Sequence, residues 1–152
     1  MHLLLIEDDE IKGAEIVDFL KTSVGASSVA WEKSFSGGLK ALVGAVRYDA
    51  LILDMSLPDH DTGYSDSSGA EPFAGRDLLK QMKFRKVVVP TIVVTMFDQF
   101  GKGDSKVSVE ELRSSLAQQF PSHFRGLVYY SLAQEGWRSS LKKLIDSIGR
   151  GN

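Results

Sequence analysis

Short apolar runs alternate with helical patterns along most of the chain. Three of these runs are continuous and brief, and the second and third are typical of central strands covered by helices on both faces. They are LLLI (3–6), ALIL (50–53) and TIVV (91–94). Between the second and third runs, Leu78, Leu79 and Met82 recur at helical spacing. This alternation predicts an α/β fold with a parallel sheet.

The remaining segments continue the alternation. SVAWEKSF (28–35) predicts an edge strand whose far end meets solvent, with Val29, Trp31, Lys33 and Phe35 at alternate positions. GLVYYS (126–131) predicts the last strand. The helix stripes that follow predicted strands are Ile16, Val17 and Leu20; Leu39, Leu42, Val43 and Val46; Leu112, Leu116 and Phe120; and Trp137, Leu141, Leu144, Ile145 and Ile148. We therefore expect a flavodoxin-like, doubly wound sheet of five parallel strands in the order 2-1-3-4-5, with helices on both faces.

Two connections are longer than the about 2–6 residues usual between strands and helices. The first, 59–75, is small, polar and rich in glycine, so it is either a binding loop or a disordered one. The second, 98–108, contains FGKGDSK, whose glycines invite comparison with a phosphate-binding loop. It lacks the G-x-x-x-x-G-K-[ST] pattern directly after a strand, so we predict a turn with a solvated basic face.

Composition narrows the class of protein. The 152 residues are 43% hydrophobic and 25% charged, as expected of one globular domain spanning 1–152 with insertions near 59–75 and 98–108. A net charge of -2 argues against direct binding of nucleic acid or of an anionic membrane. The chain has no cysteine, and no apolar stretch approaches the roughly 20 residues of a membrane helix. We therefore expect a cytoplasmic protein without disulfides.

Polar residues stand where three of the predicted strands end. Glu7 and Asp8 follow the first strand, Asp54 follows the third, and Thr95 follows the fourth. In an open parallel sheet, these ends converge on the edge where ligands bind. Three carboxylates gathered there would raise one another's pKa unless a cation neutralised them, and hard oxygen ligands of this kind suit Mg²⁺.

Four segments together resemble the receiver domain of two-component response regulators, across residues 1–97. They are LLLIEDDE, DALILDMSLPD with its LDxxLPD core, GRDLL at the start of a helix, and PTIVVT. The resemblance implies that Asp54 accepts a phosphoryl group and also binds Mg²⁺. It implies roles for four further residues: an acidic pair that supports the metal (Glu7 and Asp8), a backbone carbonyl ligand (Ser56) and a switch hydroxyl (Thr95).

The resemblance weakens beyond the fourth predicted strand. Receivers usually carry a small residue next to the switch hydroxyl, where this chain has Met96. The fifth strand of the family ends in a Lys-Pro pair, and the aligned residues here are Tyr130 and Ser131. The family's Asp-Gly after the phosphorylation loop is reduced to Ala74-Gly75. Both the entry to the predicted pocket and its switch are therefore altered.

The missing lysine bears on the strength of the switch. In the family its ammonium pairs with phosphoryl oxygens, whereas Tyr130 offers one neutral hydroxyl, worth roughly half a charge-assisted hydrogen bond. Unless Lys102 or Lys106 folds over the site, we expect the pocket to keep excess negative charge. The expected result is slow, shallow phosphorylation or constitutive binding of a partner.

The expected function is that of an atypical single-domain response regulator. It would take a phosphoryl group from a histidine kinase or phosphotransfer protein and signal to a downstream protein; a homodimer is compatible with this role. Segment 59–75 would cover the pocket as a recognition or gating loop. No enzymatic activity is expected beyond autophosphatase activity. Two alternatives stay open: a receiver-like interaction module independent of phosphorylation, and a haloacid dehalogenase-type phosphohydrolase, which expects a second aspartate where this chain has Ser56.

Overall fold

Five parallel strands form the central sheet of the computed structural model, which describes residues 1–60, 70–101 and 103–151. In chain order they are β1 (His2–Ile6), β2 (Ser28–Glu32), β3 (Ala50–Leu53), β4 (Thr91–Thr95) and β5 (Phe124–Tyr129). They pair in the order β2-β1-β3-β4-β5, which confirms the predicted order 2-1-3-4-5.

Helices cover both faces of this sheet. They are α1 (Glu10–Thr22), α2 (Phe35–Val43), α3 (Ala74–Phe84), α4 (Val109–Gln119) and α5 (Gly136–Arg150). Leu51 and Leu53 pack in a core shared with α2, α3 and α4, whereas Ala50 and Ile52 pack in a core shared with α1 and α5. Because alternate residues of a strand point to opposite faces, burial on both faces explains the unbroken apolar runs. Within the described ranges, every helix is too short or too polar to cross a membrane.

The register of the sheet brings the ends of neighbouring strands level. Ile6 of β1 pairs with Leu53 of β3, and Leu53 pairs with Val93 of β4. The backbone N–H of Asp54 donates to the carbonyl of Ile6 at 3.0 Å, so the ladder continues one residue past β3. The residues that directly follow β1 and β3 therefore stand side by side at the carboxyl edge of the sheet.

The second strand and second helix are shorter than predicted. Strand β2 ends at Glu32, and Ser34 caps α2 by accepting a hydrogen bond from the N–H of Gly37 at 3.0 Å. The cap turns the chain away from the sheet, so the prediction of alternating strand positions at 33 and 35 was wrong. Helix α2 ends before Gly44, which leaves Val46 outside it and 60% exposed, so the predicted apolar stripe stops early.

Two short antiparallel pairs occupy parts of the long connections. Leu57–Pro58 pairs with Ala70–Glu71, and Gln99–Phe100 pairs with Val107–Ser108. Phe100 is 3% exposed and packs in the core, so the connection over 98–108, predicted as a turn with a solvated basic face, also has a buried side that was not predicted. Residues 61–69 of the predicted 59–75 insertion lie outside the described residues, and its last two residues belong to α3.

Candidate functional site

Three carboxylates meet at the carboxyl edge of the sheet. Glu7, Asp8 and Asp54 each offer one oxygen, and these oxygens lie within 4.8 Å of one another. Glu7 and Asp54 are buried, whereas Asp8 is exposed and marks the side that opens to solvent. We call this group the acidic pocket. It lies where the converging strand ends were expected to bring these residues together.

A lysine from α1 reaches into the acidic pocket. The Lys12 ammonium lies 2.6 Å from Glu7 Oε1 and 3.3 Å from Asp54 Oδ1. It also donates to the backbone carbonyl of Val94 at 2.9 Å, at the end of β4. The Lys12 side chain is only 1% exposed. One ammonium therefore bridges the ends of β1, β3 and β4.

Sequence reasoning missed Lys12, although a signal was present. Lys12, Ile16 and Leu20 follow one another at intervals of four residues, so they lie on one face of α1, and all three are buried. A charged residue on the buried stripe of a helix needs a partner inside the protein. The expectation named Lys102 and Lys106 as sources of an ammonium for the pocket and did not include Lys12; Lys102 lies outside the described residues.

Hydrogen bonds at the start of α1 fix the position of Lys12. Asp9 caps the helix by accepting a hydrogen bond from the backbone N–H of Lys12 at 2.9 Å. The N–H of Asp9 in turn donates to Glu7 Oε2 at 3.1 Å. Because the cap and the pocket are linked through Glu7, the first turn of α1 is held directly over the end of β1.

The pocket is acidic beyond what Lys12 neutralises. Burial raises the pKa of Glu7 to about 9, the neighbouring Asp54 charge adds to the rise, and Lys12 opposes it. Burial, followed by the Asp54 charge, also raises the pKa of Asp8. One ammonium among three carboxylates leaves room for a proton or a further cation. Clustered carboxylate oxygens are the ligands that Mg²⁺ prefers, so this donor set fits a divalent ion.

The start of α3 closes against the backbone of the Asp54 segment. A methyl group added at Gly75 would lie 2.6 Å from the Asp54 carbonyl oxygen and 3.0 Å from Met55 Cα. The Gly75 N–H donates to the carbonyl of Met55 at 2.8 Å. Only a glycine allows this approach, so the second residue of the altered Ala74-Gly75 pair keeps a positional role.

Other predicted site residues surround the acidic pocket. Thr95 ends β4 and is fully buried, and its hydroxyl oxygen accepts a hydrogen bond from the N–H of Phe97 at 3.1 Å. Ser56 is half-buried and follows Asp54 by two residues, and Met96 beside Thr95 is also half-buried. The metal and switch roles of Ser56 and Thr95 stay predictions.

Tyr130, which aligns with the family's lysine, has its hydroxyl bound to α1. Its hydroxyl donates to Glu15 Oε2 of α1 at 3.0 Å, and its ring lies 5.1 Å from that of Trp137 in α5. Arg138 also approaches Glu15, at 3.6 Å. The hydroxyl that was expected to take the place of the ammonium is therefore bound to Glu15, between α1 and α5.

Trp31 is a further neighbour of the site that sequence reasoning did not identify. Its indole N–H donates to the backbone carbonyl of Glu7 at 2.8 Å, and its ring lies where a methyl group on Gly13 would stand. The Lys33 ammonium lies 4.8 Å from the centre of the same ring. Trp31 thus fixes the end of β1 against α1 and β2.

The whole chain is similar in sequence to known proteins. The chain is 30% identical over 148 residues to the Detocs response regulatory protein DtcB of Enterobacter cloacae, a match that covers 95% of this chain and 99% of that protein. It is 27% identical over 152 residues to an uncharacterized protein of Sinorhizobium fredii, covering 99% of this chain and all of the other. No established family profile matches the chain.

Solved structures show the same fold at low sequence identity. A response regulator receiver protein from Pseudoalteromonas atlantica superposes with a TM-score of 0.66 and 12% identity. The superposition covers 99% of this chain and 98% of that one. At this identity the likeness is one of fold alone.

Proposed function

The chain belongs to the receiver domains of response regulators, and we propose that it accepts a phosphoryl group on Asp54 and signals through contacts with other proteins. The setting of the Asp54 carboxylate carries this proposal. It stands at the carboxyl edge of the sheet, beside two further carboxylates and one ammonium. In this proposal a histidine kinase or phosphotransfer protein donates the phosphoryl group, and the chain signals to a downstream protein.

One oxygen of Asp54, Oδ1, already has two polar neighbours. Oδ1 accepts a hydrogen bond from the Met55 N–H at 2.8 Å and lies 3.3 Å from the Lys12 ammonium. Oδ2 is therefore the oxygen that attacks phosphorus in the proposed transfer. The new O–P bond forms as the P–N bond to the donor histidine breaks, and the electron pair stays on the imidazole nitrogen, which takes a proton from water.

Glu7, Asp8 and Asp54 would hold Mg²⁺, with the backbone carbonyl of Ser56 as a further ligand. When bound, the ion supplies positive charge that screens the phosphoryl oxygens. Asp8 is the exposed acid and faces the solvent side of the pocket, from which a donor would approach. Glu7 lies behind, where its carboxylate positions Lys12 and the N–H of Asp9.

Thr95 is the proposed switch residue. Its hydroxyl oxygen accepts the Phe97 N–H, and the same hydroxyl has a proton that it can donate to a phosphoryl oxygen. Phe97 is 47% exposed, so a change at Thr95 reaches the surface within two residues. This short path is one way in which the state of Asp54 can alter a protein-binding surface.

A receiver-like module that works without phosphorylation is the second candidate. The observation in its favour is that Lys12 pairs with Asp54, so the pocket contains its own counter-charge for this carboxylate. Such a module would bind its partner equally well before and after treatment with a phosphoryl donor.

The two candidates are separated by incubating the protein with acetyl phosphate and Mg²⁺ and measuring intact mass and mobility in Phos-tag gels. The wild type should gain one phosphoryl group, and Asp54→Asn should gain none. Asp59→Asn, which changes an exposed acid nearby, is the matched control and should behave as the wild type does. An unmodified wild type with unchanged partner binding would favour the second candidate.

A further inference from the structure

We infer that Lys12, from α1, supplies the phosphoryl-binding ammonium that receivers carry at the end of β5. This inference rests on the proposed function, since it needs a phosphoryl group on Asp54. Two observations support it: what the Lys12 ammonium touches, and what Tyr130 does at the family's lysine position.

The contacts of Lys12 place a donor at the reacting carboxyl group. Its ammonium donates to the Val94 carbonyl and forms ion pairs with the carboxylates of Glu7 and Asp54. The contact with Asp54, at 3.3 Å, is the longest of the three. A phosphoryl oxygen attached to the same carboxyl group can replace Asp54 Oδ1 as acceptor while the other two contacts stay in place. The ammonium is thus positioned before the phosphoryl group arrives.

Burial strengthens this interaction. The Lys12 side chain is 1% exposed, so water competes little for its protons. Hydrogen bonds from an ammonium to a phosphoryl oxygen are charge-assisted and gain strength where water is excluded. The exposed lysines of the same surface lack this setting, as Lys33 shows with 45% of its side chain exposed.

Tyr130 cannot fill the role itself and instead supports Lys12. Its hydroxyl is bound to Glu15, and its ring centre lies 5.9 Å from the Lys12 ammonium. The ring therefore occupies space beside the cation and presents an aromatic surface to it. A tyrosine at 130 fits with a cation that α1 supplies instead.

The inference is tested with beryllofluoride and Mg²⁺, which together mimic a phosphoryl group on an aspartate. Affinity is measured by titration for the wild type, Lys12→Met and Lys33→Met. Loss of a charge-assisted hydrogen bond predicts a fall of about tenfold or more in Lys12→Met. Lys33→Met should match the wild type, although Lys33 makes an equally short ion pair, 2.6 Å from Glu10.

Moving the ammonium from residue 12 to residue 130 tests whether Lys12 binds the phosphoryl group or only maintains the fold. The double variant Lys12→Met/Tyr130→Lys puts the lysine back at the family's position and should recover part of the beryllofluoride affinity. If Lys12 only maintained the fold, the second substitution would recover none, and the inference would be wrong. Circular dichroism of each variant reports whether it is folded.

The wild type gives a readout that needs no variant to fold. The NMR signal of the Lys12 ammonium should shift when beryllofluoride and Mg²⁺ are added, and it should stay in place in Asp54→Asn. A wild type that binds beryllofluoride without a shift of this signal, or a folded Lys12→Met with unchanged affinity, overturns the inference alone. A wild type that takes up neither beryllofluoride nor a phosphoryl group overturns the proposed function and the inference with it.

Discussion

The ends of β1 and β3 differ from the end of β5 in how they keep the features of a receiver. At β1 and β3, the acids expected of the family stand together and contact a buried ammonium. At β5, the expected lysine is a buried tyrosine whose hydroxyl bonds to Glu15. The positive charge in the pocket has not been lost but comes from another element. Loss of a motif residue in the sequence therefore does not establish loss of its charge from the site.

Helix α1 links the two regions. Lys12 contacts the acidic pocket, and Glu15, three residues later on the same helix, holds Tyr130. The pocket side of this link is ionic and buried, whereas the β5 side is one hydrogen bond from a neutral hydroxyl to a half-buried carboxylate. Substitutions should therefore have larger effects at the pocket than at the end of β5.

The largest effect should come from removing the buried cation. We predict that Lys12→Met lowers the free energy of unfolding by about 3 kcal/mol, because it leaves buried carboxylates without their partner. Lys33→Met, which breaks an exposed ion pair of the same 2.6 Å length, should cost less than about 1 kcal/mol. Urea denaturation at pH 7 without metal measures both. Equal losses would remove the contrast between the buried and exposed pairs.

Gly75→Ala should be the next most damaging change. The added methyl group would press on backbone atoms of Asp54 and Met55, which cannot rotate away, so we predict a loss of about 2 kcal/mol. It should also slow phosphorylation by moving Asp54. Gly136→Ala at the start of α5 is the control, since a methyl group there meets no atom within 4 Å. Thermal unfolding of both variants measures the two losses. Equal stability would mean that α3 can shift away from the Asp54 segment at no cost.

At the end of β5, Tyr130→Phe should cost about 1 kcal/mol. The variant keeps the ring against Trp137 and loses only the hydrogen bond to Glu15. Tyr129→Phe, at a side chain 51% exposed, should leave the urea midpoint unchanged. If Tyr130→Phe costs as much as Lys12→Met, the end of β5 matters as much to stability as the pocket does.

The smallest effect concerns pH. Burial and then the hydrogen bond to Glu15 raise the pKa of Tyr130 from 10.0 to about 12, so the folded protein holds this proton more tightly than the unfolded chain does. The resulting stability is fully present below pH 10 and is lost as the pH rises towards about 12. Ultraviolet titration should show a late tyrosine transition that is missing in Tyr130→Phe. A late transition that persists in the variant would show that it does not belong to Tyr130.

Much of the fold was predictable from the sequence because strands and helices space their apolar residues differently. Continuous apolar runs identified β1, β3 and β4, and the alternation with helices predicted the order of the sheet. The acids at the ends of β1 and β3 were predictable as neighbours for the same reason. Parallel strands of one sheet bring their carboxyl ends to one edge, so adjacency follows from topology without knowledge of side chains.

The boundaries of β2 and α2 and the burial of Phe100 were less predictable. A cap at Ser34 and a pair of two-residue strands decided them, and both depend on contacts between segments. Local pattern cannot tell whether an aromatic residue in a polar connection meets solvent or the core.

By itself, the sequence determined the layers of the fold, the order of the strands and the edge at which the acidic residues meet, since these follow from periodicity and topology. Tertiary structure alone decided which cation the acids contact and where Tyr130 points. Lys12 has a long side chain whose ammonium can reach any group within several ångströms of its helix. Its partners were settled only when α1 packed on the sheet and buried its stem, leaving Glu7, Asp54 and the Val94 carbonyl as the acceptors within reach.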